Sequence, residues 1–279
     1  MNTLFLSISL LIFSAGGFFS GPTPEEWFKS GKQKLESRQY DEAIEDFNKA
    51  IELKDDYAIV YFKRGMAYHL KRSYKKALPD FNKYISLRPD DENGYYDRAM
   101  CFKQMGLNQE AINDLGKCIS INSRFTNAMI KRGNMYYEMQ RYDSALMDYT
   151  SYIEKRPESE KGYYNRGNVY KRQKMYEYAL TDFKKVIELN PKFQDVYINA
   201  GSALADMGRY QEALPYFTKA AQLNRNDGEA YYNIGVVYNN TGNPDLACEN
   251  FKRGAELNQK EAMKQYYDRC GKALVKGLQ

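Results

Sequence analysis

The strongest constraint on the fold is a pattern that repeats every 34 residues through most of the chain, with no insertion or deletion. An alanine recurs twelve positions after a small residue, and a large apolar or aromatic side chain recurs after sixteen. Two helices approach closely only where the facing side chain is small, so the pattern predicts packed helix pairs with rings filling the spaces beside them. The small residues are Gly31, Gly65, Ala99, Gly133, Gly167, Gly201 and Gly235.

A tyrosine, tryptophan or methionine lies four positions before each small residue. A 34-residue unit with this pattern resembles the tetratricopeptide repeat. The resemblance implies an all-α fold, a right-handed superhelical solenoid of antiparallel helix pairs in which each unit buries its apolar face against its neighbours. A C-terminal capping helix and tail over 262–279 follows seven such units: 24–57, 58–91, 92–125, 126–159, 160–193, 194–227 and 228–261.

The pattern also predicts where helices begin and end. In the second unit we expect helices over about 58–70 and 74–87, because Pro89 closes the second one. The last helix is predicted over about 260–275, with Tyr267 on its apolar side. Glycine readily adopts the left-handed conformation at helix C-termini, and three units have one at the turn between their helices. These are Gly106, Gly208 and Gly242.

The N-terminal segment resembles a secretory signal peptide. The first 24 residues carry no charged side chain, and a short apolar run over 4–13 is followed by small residues. We predict a signal peptide over 1–17 and a linker over 18–23, with an uncleaved anchor or a disordered leader as alternatives. The expected location is therefore the periplasm, the cell envelope or the exterior. Membrane contact is expected only through an uncleaved N-terminal segment.

Composition and motif content argue against two classes of function. Charged residues make up 28% of the chain, but the net charge of +5 is too small and too dispersed to indicate a nucleic-acid partner. The single histidine is His69, and no phosphate loop, zinc motif or nucleophile elbow is present. We therefore predict a protein that is not an enzyme and that uses no cofactor and no metal.

The four cysteines leave two interpretations open. Cys101, Cys118 and Cys248 replace small or apolar residues of their columns, as buried free cysteines do. In an exported protein, disulfides Cys101–Cys118 or Cys248–Cys270 are the alternative. The column positions favour free thiols.

Two charged columns predict a ladder of ion pairs. Both columns end after the fifth unit, because the sixth unit has Ala200 and Tyr216 at these positions. We predict that each arginine pairs with an aspartate of its own or the preceding unit and braces the helices, with ligand binding as the alternative. The arginines, one before the small residue, are Arg64, Arg98, Arg132 and Arg166. The aspartates, one before the second-helix ring, are Asp46, Asp80, Asp114, Asp148 and Asp182.

The family resemblance implies that the first helix of each unit lines a concave groove. The groove candidates lie three and two positions before the small residue and one after it. The groove is predicted to be largely aromatic, basic toward the N-terminal half and rich in amides toward the C-terminal half. The candidates are Phe28, Lys29, Lys32, Phe62, Lys63, Tyr96, Lys131, Asn134, Tyr164, Asn165, Asn168, Asn199, Tyr232 and Asn233.

Asparagine both donates and accepts hydrogen bonds, so it can pair with a peptide backbone whatever the peptide's sequence. The row Asn165, Asn199 and Asn233 resembles the asparagine ladder in the repeat domain of O-GlcNAc transferase, which holds extended polypeptide. A hydrated polar face without a ligand is the alternative. The carboxylate clamp of co-chaperone tetratricopeptide domains is not matched, because Tyr164 stands at a position that needs a cation.

These observations predict an exported scaffold for protein–protein interaction that binds an extended segment of a protein or peptide partner in its groove. One alternative is a structural assembly protein that acts through its ends and its convex face. Another is an accessory subunit of an enzyme.

Overall fold

The structure, a computed structural model, describes residues 21–271. These residues form fifteen α-helices and one π-helical turn, with no β-strand among them. The predicted all-α fold of helix pairs is thereby confirmed. The predicted signal peptide and the part of the capping segment after Gly271 lie outside the described residues. The chain divides into two compact units, Met1–Met105 and Gly106–Gln279.

In the described part of the first unit, each helix packs on the next one in the chain. The alternate helices α1 and α3, and α3 and α5, also lie against each other. The helices are α1 (Pro24–Glu36), α2 (Tyr40–Leu53), α3 (Ala58–Leu70), α4 (Tyr74–Leu87) and α5 (Glu92–Gln104).

The second unit follows the same plan, and the first helices of successive repeats again lie side by side. None of the helices within residues 21–271 is long and apolar enough to cross a bilayer. The helices here are α6 (Asn108–Ile121), α7 (Thr126–Glu138), α8 (Tyr142–Lys155), α9 (Glu160–Arg172), α10 (Tyr176–Leu189), α11 (Gln194–Asp206), α12 (Tyr210–Leu223), α13 (Gly228–Asn240), α14 (Pro244–Glu256) and α15 (Lys260–Gln265), followed by the π-helical turn π1 (Tyr266–Cys270).

The small-residue column marks the closest helix contacts. A Cβ placed on Gly133 would lie 2.7 Å from the Tyr149 ring, and one on Gly167 would lie 2.7 Å from the Phe183 ring. Both distances are shorter than a van der Waals contact, so the rings occupy the space that a larger residue would need. The alanine twelve positions after each small residue is buried, as Ala145 shows.

Seven turns within repeats use the left-handed conformation. The three predicted glycines have φ values of 76°, 75° and 79° at Gly106, Gly208 and Gly242. Four other repeats adopt the same conformation without glycine, although it costs an ordinary residue about 1–2 kcal/mol. The packing of the helix pair therefore sets the turn, and the residue accommodates it. The four residues are Arg38, Arg72, Gln140 and Lys174, with φ of 62°, 58°, 57° and 61°.

The predicted helix limits in the second repeat are confirmed by α3 and α4. The prediction for the last helix is wrong in its continuity, because α15 ends at Gln265 and π1 follows it. A π-helical turn contains an extra residue, which rotates the side chains that follow. As a result Tyr267, expected on the apolar side, is 69% exposed, while Cys270 is buried.

The cysteine prediction is wrong for one pair. Cys248 on α14 forms a disulfide with Cys270, and their Cα atoms are 5.6 Å apart. The structure brings them together because both α15 and π1 pack against α14. Cys101 and Cys118 are free and buried, as their columns predicted.

Candidate functional site

The first-helix face is defined by the three predicted groove positions on the first helix of each repeat. In the first compact unit it lies on α1, α3 and α5. Lys29 and Lys32 of this face are exposed, and Lys32 lies 3.8 Å from Glu36 in an exposed ion pair. The remaining candidates are half-buried: Phe28, Phe62, Lys63 and Tyr96.

The aromatic members of this face also serve packing. The ring centroid of Phe28 lies 6.2 Å from that of Phe47 and 5.5 Å from that of Tyr57. The Phe62 ring lies 4.8 Å from the Tyr84 ring on α4. Contacts of this kind fix the first helix against its neighbours. These rings therefore offer a ligand only the surface that packing leaves exposed.

Two charged residues of the first unit, Lys63 on α3 and Asp97 on α5, occupy the same column of adjacent repeats. Burial raises the pKa of Asp97 to about 6, and the Lys63 ammonium opposes the shift. The fold therefore destabilises the ionised form of Asp97 relative to the unfolded chain, although the carboxyl is still mostly ionised at pH 7. The sequence placed Asp97 in this column, but its burial depends on the packed helices around it.

In the second unit the amides form a hydrogen-bonded network on α7 and α9. The Oδ1 atom of Asn134 accepts from the Tyr149 hydroxyl at 2.8 Å and from Asn165 Nδ2 at 2.9 Å. This leaves Asn134 Nδ2 and Asn165 Oδ1 without a hydrogen-bond partner among the described residues. The pair thus presents one donor and one acceptor to a ligand, as a peptide backbone requires.

A second part of the network joins α9 to α11. Asn199 Nδ2 donates to Asn168 Oδ1 at 3.0 Å and to the Tyr164 hydroxyl at 3.1 Å. The Oδ1 atom of Asn199 accepts from Lys171 Nζ at 3.1 Å. The amide row therefore extends over three first helices and ends on a lysine that the sequence pattern did not select.

Two clefts lie beside this network. One, of about 280 Å³, is lined by residues that include Asn134, Asn165 and Tyr137. The other, of about 470 Å³, is lined by residues that include Asn199 and Lys171. Tyr137 and Asn168 line both clefts, so the two are contiguous. The first-helix face of the second unit is consequently recessed and polar.

Of the remaining candidates of the second unit, Tyr164 belongs to the network through its hydroxyl, and Lys131, Tyr232 and Asn233 lie apart from it. Lys131 and Asn233 are half-buried, on α7 and α13. The Tyr164 ring lies 4.7 Å from the Phe193 ring, and the Tyr232 ring lies 6.0 Å from the Phe251 ring. Within residues 106–271 no side-chain hydrogen bond joins Asn233 to the other asparagines of the row. In the predicted row, Asn165 and Asn199 therefore each bond a flanking asparagine, Asn134 and Asn168 respectively, while within the described residues Asn233 bonds none of these asparagines.

The arginine and aspartate columns meet within single repeats. Arg64 donates to Asp80 through Nε at 2.9 Å and through Nη2 at 2.6 Å. Arg132 and Asp148 form the same bidentate pair at 2.9 and 2.6 Å, and Arg166 and Asp182 at 2.9 and 2.8 Å. The carboxylates are buried, and the hydrogen bond that Arg132 donates to Asp148 raises the pKa of Arg132. These pairs join the two helices of a repeat.

The same arginines also reach the preceding repeat through a column that sequence reasoning missed. Arg64 Nη1 donates to Asn48 Oδ1 at 2.6 Å, and Arg98 Nη1 donates to Asn82 Oδ1 at 2.8 Å. Arg166 Nη1 donates to Thr150 Oγ1 at 3.1 Å. Asn48 and Asn82 stand 34 residues apart, which was a visible signal, and Thr150 follows in the same column after Gly116. Arg64, Arg98 and Arg166 thereby each link one helix pair to the preceding one, whereas Arg132 faces Gly116, which offers no side-chain acceptor.

The first aspartate of the ladder has different partners. Asp46 accepts from Ser30 Oγ at 2.6 Å and lies 2.7 Å from Lys34 Nζ. Ser30 stands where later repeats have arginine, so a hydroxyl and a lysine together replace one guanidinium. Asp114 is buried like the other aspartates of its column.

Tetratricopeptide repeat models match residues 31–72, 58–91, 93–125, 133–174, 160–193, 195–227 and 216–249. The matches together span most of the chain. The chain belongs to the tetratricopeptide repeat family. This assignment agrees with the helix pairs and with the small-residue column at which the two helices of a pair approach each other.

Solved tetratricopeptide structures share the fold at low sequence identity. The C-terminal part of a repeat protein from Cytophaga hutchinsonii is 22% identical, with a TM-score of 0.75 over 85% of this chain and 98% of that one. A repeat protein from Parabacteroides merdae is 18% identical, with a TM-score of 0.62 over 89% of this chain and 98% of that one. YrrB, described as having an unusual peptide-binding site, is 22% identical, with a TM-score of 0.58 over 66% of this chain and 96% of that one. No curated protein matches the chain.

The one histidine of this tetratricopeptide chain lies beside a cysteine. His69 Nδ1 lies 3.2 Å from Cys101 Sγ. Burial lowers the pKa of His69 and raises the pKa of Cys101 to about 12, so the thiol stays protonated. A thiol acts as a nucleophile only when ionised, and this pair is therefore a packing contact. Among residues 21–271 no group of three or more His, Cys, Asp and Glu side chains is arranged to hold a metal.

Proposed function

We propose that this chain is a non-enzymatic scaffold that holds an extended polypeptide segment along the first-helix face of its second compact unit. The observation that carries the proposal is the amide network of Asn134, Asn165, Asn168 and Asn199 beside two contiguous clefts. Its free donor and acceptor groups match those of a peptide backbone. YrrB, which has the same fold, is a tetratricopeptide protein with a peptide-binding site.

The proposed mechanism is binding alone. Asn134 Nδ2 and Asn165 Oδ1 pair with the main chain of the segment, so affinity depends little on its sequence. Lysines and other residues that line the clefts then determine which side chains of the bound segment are accepted. Because Asn134 already accepts a hydrogen bond from the Tyr149 hydroxyl and Asn165 already donates one to Asn134, little rotamer freedom is lost on binding.

We also propose that the protein works outside the reducing cytosol. The N-terminal segment resembles a signal peptide, and a disulfide between Cys248 and Cys270 is the kind of cross-link that persists in an oxidising compartment. A fractionation of the native host, with non-reducing electrophoresis of the C248S variant as control, tests both statements. Recovery of the protein in the cytosol with free thiols would contradict them.

A second candidate function is structural assembly through the second helices. Two large apolar side chains there are well exposed, Met147 on α8 at 72% and Tyr178 on α10 at 61%. Exposed apolar side chains of this size are candidate contact points for a partner protein. This alternative places the partner on the opposite helices from the amide network, so one experiment separates the two.

The experiment uses a photo-crosslinking amino acid in the full chain in its native host, placed at the exposed cleft residue Glu138 in one variant and at Tyr178 in another. We expect the Glu138 variant to capture a partner, and the N165A/N199A substitutions to reduce that capture at least several-fold. M147S is the matched control and should leave capture unchanged. Capture from Tyr178 alone, insensitive to the asparagine substitutions, would favour assembly and overturn groove binding.

A further inference from the structure

The 470 Å³ cleft contains a lysine with no acidic partner. Lys171 lies in the last turn of α9, and its Nζ donates to Asn199 Oδ1. No described residue forms a salt bridge with it. An ammonium group has three N–H donors, and the structure uses one of them.

The surroundings of Lys171 do not balance its charge. Burial lowers its pKa, and the more distant carboxylates of Asp206 and Glu229 only partly oppose that shift. The last turn of a helix favours a cation, whereas partial removal from water disfavours one, and no carboxylate within the described part of the chain forms an ion pair with Lys171 to offset that cost. The Lys171 ammonium therefore has charge and unused N–H donors to offer a ligand.

Most of the charged side chains that line the cleft are cations. Arg172 and Lys174 line it together with Lys171, and Asp206 is the acidic residue of the lining. Arg172 uses Nε to bond the Tyr137 hydroxyl at 3.2 Å, which orients its guanidinium at the cleft wall. Three cations against one carboxylate favour an anionic group in the cleft.

We propose that this cleft binds the carboxylate of an Asp or Glu side chain in the polypeptide segment, with Lys171 as its charge partner; this rests on the proposed function and specifies its ligand. Asn199 connects the two roles, because its Nδ2 belongs to the amide network while its Oδ1 holds Lys171. A backbone lying on the network therefore passes within side-chain reach of Lys171. The segment is accordingly an acidic one, selected at one position.

The test begins with selection of random twelve-residue peptides on the full chain and on its K171M variant. Peptides selected on the wild type should share an acidic residue at one position, and those selected on K171M should not. For the best peptide, fluorescence polarisation should show that Glu→Gln or Asp→Asn weakens binding about tenfold to wild type, as expected for a charge-assisted hydrogen bond. The same change should alter binding to K171M by less than about twofold.

The matched control is K161M, an exposed lysine on the same helix, which should behave as the wild type. Thermal melts check folding, and K171M should melt no lower than wild type because it removes a poorly neutralised cation. An acidic preference that is equal in wild type and K171M would overturn the assignment of Lys171 while leaving peptide binding intact.

Failure to select any peptide would instead overturn the proposed function. Whether the cleft binds a carboxylate is then tested by titrating N-acetylglutamate amide and N-acetylglutamine amide into the ¹⁵N-labelled chain. Shifts of the Asn168 and Asn199 side-chain amides with the glutamate compound alone, lost in K171M, support the carboxylate site. No shift, or a stronger response to inorganic phosphate, would overturn it.

Discussion

In repeats four and five a buried ion pair joins the two helices, whereas repeats six and seven bury an apolar side chain at the arginine position. In repeat five, Arg166 and Asp182 form a bidentate ion pair between the two helices. In repeat six, Ala200 stands in the arginine position and is fully buried within the apolar core of the second unit. Tyr216 replaces the aspartate and lies 6.5 Å from the Tyr197 ring.

Repeat seven follows the apolar solution. Ile234 takes the arginine position and is 7% exposed, and Asn250 turns back to bond the Leu246 carbonyl at 2.8 Å. The same backbone therefore accepts either a buried charge pair or apolar packing. Replacing a buried ion pair with apolar side chains is often neutral or stabilising, whereas removing one partner is strongly destabilising. The comparison teaches that the two positions must change together.

The largest effect is expected from R166A, which leaves Asp182 buried without its partner. We expect a loss of about 3 kcal/mol in the free energy of unfolding, measured by urea titration followed by circular dichroism. The double variant R166A/D182Y copies repeat six and should recover most of that loss.

The control is R209A, since Arg209 forms an exposed pair with Glu212 at 2.6 Å. Because solvent screens an exposed pair, its loss should change the free energy of unfolding far less than R166A does. If R166A/D182Y is as unstable as R166A, the two solutions are not interchangeable.

The reverse exchange tests the same idea in repeat six. A200R should destabilise by about 2–3 kcal/mol, because the guanidinium enters an apolar core with no acceptor opposite it. A200R/Y216D supplies the acceptor and should regain at least half of that loss by the same titration. An A200R variant as stable as wild type would show that the core of repeat six is open enough to solvate a charge.

A third prediction concerns the column that holds Asp97 in repeat three and asparagine in repeats five to seven. Asp97 has a folded pKa of about 6, above the unfolded value of about 3.9, so the folded state binds more protons between these values. Stability should therefore fall as the pH rises from about 4 to 6 and stay lower above that. D97N removes this loss and should stabilise by about 1–2 kcal/mol at pH 7.5, with no difference below about pH 4.

Urea titrations at several pH values provide the measurement, and D90N, an exposed site in the same unit, is the control. A stabilisation by D97N that is the same at pH 4 and pH 7.5 would show that ionisation is not its cause.

The smallest effect is expected at the small-residue column, which is the same in repeats with the ion pair and in repeats without it. A Cβ on Gly167 or Gly201 would lie 2.7 Å from the Phe183 or Phe217 ring. Overpacking costs about 1–3 kcal/mol and the helix propensity of alanine returns about 1 kcal/mol, so G167A and G201A should each destabilise by about 1 kcal/mol. If the melting temperature falls for one variant and rises for the other, the space beside the glycine depends on whether the repeat has the arginine–aspartate pair.

Much of the fold was predictable because the repeat is a local and self-consistent signal. The limits of α3 and α4 follow from the periodicity and from Pro89, which ends a helix by its own geometry. The last helix was predicted less well, because no repeat follows it to define its register. The π-helical turn and the Cys248–Cys270 disulfide arise from its packing on α14.

The candidate site was predictable in its columns but not in its contacts. The row of asparagines was evident from spacing, yet its connection over Asn134–Asn165 and Asn168–Asn199 depends on side-chain rotamers across neighbouring helices. Lys171 was missed because its column is irregular, holding His69 and Tyr137 in earlier repeats. A periodic search finds residues that recur, and a binding specificity can depend on one that does not.

The sequence by itself determined the family, the helix pairs and the small-residue column, because each repeat obeys the same short-range packing rule with its neighbours. The tertiary structure alone decided which polar groups meet. Arg166 pairs with Asp182 of its own repeat and bonds Thr150 of the preceding one, while Lys171 bonds Asn199 and has no carboxylate partner. The physical reason is that a hydrogen bond depends on distances of a fraction of an ångström between helices. Such distances are fixed only when the helices are packed.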